Sequence, residues 1–148
     1  MDWSDRAPPE LDGLAPLRAE DLQAARAAVI ASGPVLMRLR SDDRVLWQDM
    51  ARLYADYPGT VDAAEAMIAD FTVQFSRVRR PPLLGTPRLA FRVNGGPVLS
   101  MQKAALGFAL FEWGANWCLS TYAQAHLSVH AAVVERHGRA LLLPTTFR

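Results

Sequence analysis

Between residues 101 and 125 the sequence is apolar on almost every side of a helix, and a stretch of that kind dictates how the rest of the chain must pack. Ser100 can cap its N-terminus. At about 3.6 residues per turn, Leu106, Leu110, Trp113 and Trp117 fall on one side, and Phe108, Phe111, Leu119 and Tyr122 on another. A helix apolar all round belongs between layers. Each aromatic side chain can bury about 150–250 Å2, so the pattern predicts a core built around this helix, with Trp113 and Trp117 inside it. Glu112 and Asn116, one turn apart, interrupt the apolar surface and are expected to cap or anchor a neighbouring sheet. The uninterrupted apolar run falls short of the ~18 residues a membrane span needs, so no membrane partner is expected.

Strand signals surround this helix. Residues 70–78 set Phe71, Val73 and Phe75 against Thr72, Gln74 and Ser76, the period of a half-buried strand. Residues 88–93 repeat it with Leu89, Phe91 and Val93, and Asn94-Gly95-Gly96 predicts a hairpin whose return strand starts at 97–99. Residues 35–39 read as a short strand. Residues 127–134 and 140–143 read as two more, joined by 135–139, the last of them apolar throughout and so buried. Three further helices are expected. One spans 20–31, Ala-rich, with Leu22, Ala25 and Val29 on one stripe and Gly33-Pro34 ending it. Another follows Asp42 or Asp43 as cap, carries Leu46, Met50, Leu53, Tyr54 and Tyr57, and closes at Pro58-Gly59. A short one is expected at 62–69. Residues 1–20 read as a loose arm, ordered only where it docks, and 21–148 as a single domain. The fold class is α/β, a mixed sheet with a long buried helix.

The 148 residues suffice for one core, and 51% hydrophobic with 21% charged residues is a globular composition. A single cysteine, Cys118, rules out an intrachain disulfide and fits a reducing, cytoplasmic setting. No basic segment followed by an apolar stretch opens the chain, so no signal peptide is expected. Net charge is +1, but residues 1–74 hold thirteen acids against seven arginines, whereas 75–148 hold nine basic residues against two acids. A basic second half can face an anionic ligand, or the two halves can simply pack together. Lys103 is the only lysine.

Few residues carry chemistry on their own. His126 and His137 are expected at element ends, and the three histidines lack zinc spacing with cysteine partners. Cys118, on the apolar helix, reads as a small filler; pairing with His126 or His130 as a nucleophile lacks an orienting third residue. Arg77, Arg79 and Arg80 before Pro81-Pro82 can hold phosphate or RNA, or form a solvated loop. No RNP, zinc-finger or helix-turn-helix pattern accompanies them, so no nucleic-acid partner is expected.

Three segments carry a resemblance. Glu112-Trp113-Gly114-Ala115-Asn116-Trp117-Cys118, His130-Ala131-Ala132-Val133-Val134-Glu135-Arg136 and Gly138-Arg139-Ala140-Leu141-Leu142-Leu143-Pro144 resemble the HPr kinase-related family, in particular the subgroup called HprK-related kinase A that accompanies exosortase-type sorting systems. Leu53-Tyr54-Ala55-Asp56-Tyr57-Pro58 is similar to the same subgroup, and the resemblance spans roughly residues 35–144. It implies a phosphoenolpyruvate-carboxykinase-like fold that uses ATP and Mg2+ to phosphorylate an unidentified protein substrate. It also aligns His130 with a histidine near the nucleotide, although a structural histidine bonded inside the sheet is the other reading. In such proteins the strand matching 140–143 delivers a loop G-x-x-x-x-G-K-S/T, whose amides, lysine and hydroxyl hold phosphates and Mg2+. Here Thr145-Thr146-Phe147-Arg148 follows Pro144. The expectation is therefore a truncated, front-half kinase, inactive by itself, with no catalytic residue, no metal ligand and no cofactor in this chain. A non-catalytic regulatory or partner-binding module is the alternative. The strand at 140–143, lacking cover, is expected to expose an apolar face or edge and drive self-association.

Overall fold

A computed structural model of the chain describes residues 14–78, 86–122, 129 and 131–144, with the backbone alone at 100 and 101. The architecture is mixed α/β. Six strands form one sheet: β1 (Ala27–Ser32), β2 (Val35–Ser41), β3 (Gly59–Thr60), β4 (Phe71–Val78), β5 (Arg88–Val93) and β6 (Gly96–Lys103), in the order β3-β1-β2-β4-β5-β6. Among the described residues only the β2–β4 pair is parallel. A parallel pair needs a crossover, and α2 (Arg44–Leu53) supplies it. The other helices are α1 (Ala19–Ala24) and α3 (Gly107–Tyr122); β7 (Ala131–Arg136) and β8 (Arg139–Pro144) form a separate two-stranded hairpin.

The strand alternation places Ile30, Met37, Leu39, Phe71, Val73, Phe75 and Phe91 on one face, and α1, α2 and α3 bury that face. Phe75 and Phe91 sit opposite one another across β4–β5 with rings stacked at 4.9 Å, a cross-strand aromatic pair. On the opposite face Thr72, Gln74 and Ser76 stay half-exposed, while a small patch of Val29, Ala31 and Leu36 is covered by Ala64. The covering segment, 62–69, is a series of turns rather than the short helix its sequence predicts. Arg38 takes its carbonyls, donating through Nε to Ala64 O at 2.7 Å and through its other nitrogen to Met67 O, so the ladder that would make it helical is not completed.

The helix expected at 20–31 stops at Ala24, and 27–32 is strand β1 instead. Alanine suits either state. The β-branched Val29 and Ile30 decide it, because β2 offers each a ladder partner, Arg38 and Met37, and both are fully buried there. Gly33, at φ +56°, turns the β1–β2 hairpin rather than capping a helix. The arm is partly docked: Leu17 is buried, its N–H donates to Tyr57 O at 2.8 Å, and its carbonyl accepts from Asp56 N–H at 2.9 Å. Residues 1–13 lie outside the described residues.

The long apolar helix begins six residues later than the expected 101. Asn94 and Gly95, at φ +47° and +81°, close the predicted hairpin, and pairing then runs on to Arg88↔Lys103. Residues 100–103 are thus used as strand, and no helix starts at 101. Residues 123–125 lie outside the described residues. Burial along α3 also differs from the expectation. Gly107, Phe111, Gly114, Ala115 and Cys118 face the sheet, whereas Trp113 and Trp117 are 47% and 37% exposed. The small residues explain this reversal. A methyl on Gly114 would stand 2.4 Å from Phe91 Cζ, so glycine lets the helix backbone rest directly on β5. The bulky aromatics are thereby turned outward, with the two indoles stacked at 6.5 Å.

Candidate functional site

The site is framed by α2 and α3. Asp43, buried, fixes the start of α2: its Oδ1 accepts from Val45 N–H at 2.8 Å, and its carboxylate pairs with Arg77 at 3.2 Å. Trp47 donates its indole N–H to Ser41 O at 3.1 Å, which holds the helix onto the end of β2. At the other end Tyr54 is the C-cap. Asp56 then adopts φ +75°, a left-handed turn that Asp tolerates better than most residues. This turn folds Tyr57 back beside Tyr54, ring centroids 4.8 Å apart.

Tyr54 reaches α3. Its hydroxyl donates to Glu112 Oε1 at 2.5 Å, a short charge-assisted bond. Its ring packs edge-on against Phe111. Burial, then the Glu112 hydrogen bond and the Glu112 charge, push the Tyr54 phenol far above its ordinary range, so it remains a donor throughout the physiological range. Among the described residues Glu112 has no cationic partner, and Tyr54 is its one hydrogen-bond donor.

Beside this bond lies a cavity of about 100 Å³. Ile30, Met37, Phe71, Ala115 and Leu119 give it apolar walls, and Ser32, Tyr54, Tyr57, Glu112 and Asn116 add polar groups. Asn116 and Tyr57 are exposed and mark its mouth. Rather than anchoring a sheet, as their spacing predicts, Glu112 ties α3 to the end of α2, and Asn116 opens onto the cavity. Sequence reasoning misses Tyr54 and Tyr57 as site residues. The available signal is the Asp56-Tyr57-Pro58-Gly59 turn, which by itself reads only as the end of a helix. The segments 53–58 and 112–118, distant in sequence, meet at this cavity.

Of the remaining candidates, those among the described residues do not line it. Cys118 is fully buried, and burial pushes its thiol up to about 11, so it packs rather than reacts. His126 and His130 lie outside the described residues; His137, at φ +52°, sits exposed in the β7–β8 turn. Arg77 pairs with Asp43, an ion pair that joins the acidic and basic halves, while Arg79 and Arg80 lie outside the described residues. No group of three metal-binding side chains occurs among the described residues. No helix among them is long and apolar enough to cross a membrane.

The β7–β8 hairpin is apolar on both faces. Val133 opposes Leu142 on one, Val134 opposes Leu141 on the other, and all four side chains are more than half exposed. Strands of this composition belong inside a sheet. This hairpin is therefore the least covered part of the described chain. Comparison of the chain with family models, curated proteins and solved structures gives no match in any of the three.

Proposed function

We propose that this chain is a front portion of an HprK-related kinase that does not transfer phosphate by itself and acts as a non-catalytic, partner-binding part. The observation that carries the reading is the β7–β8 hairpin, apolar on both faces and uncovered on both. An isolated two-stranded hairpin is marginal in water, so this one is built to join a larger sheet. In the phosphoenolpyruvate-carboxykinase-like fold that the resemblance implies, β8 corresponds to the strand leading into the phosphate-binding loop. The sequence supplies neither that glycine-rich loop nor its lysine: the one lysine, Lys103, ends β6, an edge strand of the six-stranded sheet. These residues do not fit ATP and Mg2+, because phosphoryl transfer depends on charge neutralisation and positioning by groups of that kind.

The test is calorimetric titration of the 148-residue chain with ATP in the presence of Mg2+. No saturable binding is expected. Micromolar affinity would overturn the reading of an incomplete nucleotide site.

A further inference from the structure

We propose that the cavity between α2 and α3 binds a primary alkylammonium group, with Glu112 as its counter-charge. The carboxylate uses Oε1 for the Tyr54 hydroxyl, and among the described residues nothing partners its second oxygen. Among the described residues no Arg or Lys lines the cavity. A half-buried carboxylate without a cation beside it is costly to leave unpaired, and it repels anions. An ammonium brings three N–H donors, and Asn116 and Ser32 line the same space with further acceptor oxygens. The rings of Tyr54 and Tyr57 supply the aromatic surface that attracts organic cations. The Ile30, Met37 and Leu119 walls suit a short methylene stem.

Size narrows the choice. A cavity of about 100 Å³ suits a chain of a few heavy atoms, such as propylammonium or the end of a lysine side chain. A single carboxylate with no second acid beside it is a poor site for a bare divalent cation.

The experiment is a titration of the full chain, followed by amide chemical shifts, with three probes: propylammonium, N-acetyl-lysine N-methylamide and 1-propanol. Propylammonium is expected to shift Tyr54, Glu112 and Asn116 saturably, with affinity falling as salt rises. If the lysine amide does the same, the site can take a lysine of a protein partner; if only propylammonium does, the ligand is a free amine. Glu112→Gln, which retains the acceptor for Tyr54, is expected to weaken propylammonium at least tenfold. Asn116→Asp, which adds a second negative charge at the mouth, is expected to strengthen it severalfold and serves if the first variant fails to fold. Propanol binding as tightly as propylammonium, no binding of either cation, or affinity unmoved by both substitutions would overturn the proposal.

Discussion

Gly114 shows how one missing methyl can set the position of a helix. The Cβ of an alanine there would sit 2.4 Å from Phe91 Cζ, and Phe91 is itself fully packed against Phe75. Alanine would gain up to about 1 kcal/mol in helix propensity, but overpacking costs about 1–3 kcal/mol. Gly114→Ala is therefore expected to destabilise the chain by up to about 2 kcal/mol in urea unfolding, with Trp113 fluorescence altered as α3 lifts from β5. Cys118, on the same buried side, gives a second expectation. With its thiol raised from 9.0 to about 11 by burial, the folded state holds the proton after the unfolded chain has released it. Its contribution is intact below pH 9 and is lost between about pH 9 and 11, so stability should fall across that window. Cys118→Ala should flatten the fall. Thiol reagents at pH 8 should label Cys118 only when the protein unfolds.

At the scale of elements, the cap of α2 is legible in the sequence and its energetics can be separated. Asp43→Ala removes the acceptor for Val45 N–H, worth about 1–2 kcal/mol, and the partner of Arg77. Because the Arg77 side chain is 41% exposed, the ion pair adds less than about 1 kcal/mol. Asp43→Asn keeps an acceptor and should recover most of the loss in thermal denaturation; equal loss in both variants would mean that the charge matters more than the cap. The strands β4 and β5 and the Asn94-Gly95 turn are equally readable, since alternation and left-handed turn residues are local signals. Residues 27–32 are not, because alanine is neutral and the deciding partner, β2, is a tertiary contact. The orientation of α3 is hidden for a related reason: hydrophobicity alone ranks Trp113 above Gly114 for the core, while close approach of backbone to sheet favours the glycine. Of the cavity, Glu112 and Asn116 are visible as polar breaks in an apolar helix. Tyr54 and Tyr57 are not, because their meeting with Glu112 depends on a chain reversal at Asp56 and a contact 58 residues apart in sequence.

For the whole molecule, the decisive contrast is between a packed six-stranded body and an uncovered hairpin. The body closes its core over one face of the sheet, whereas β7–β8 leaves Val133, Val134, Leu141, Leu142 and Leu143 at least half exposed. The outer side of α3 adds Trp113, Trp117 and Tyr122. Exposed apolar side chains gathered in this way mark surfaces that associate. A net charge of +1 offers little repulsion to oppose contact between copies. Sedimentation should therefore show an apparent mass that rises with protein concentration above 16.3 kDa. Leu141 and Leu142 point to opposite faces of the hairpin, so replacing both with lysine charges both faces at once. The double variant should remain monomeric and keep the melting temperature of the body, because neither residue belongs to its core. If it associates as the parent does, the outer aromatic side of α3 is the contact, and Trp113→Gln with Trp117→Gln should then abolish it. A parent chain that stays monomeric at millimolar concentration would mean that the hairpin's apolar faces are satisfied within one copy, and would remove the observation on which the partner-binding reading rests.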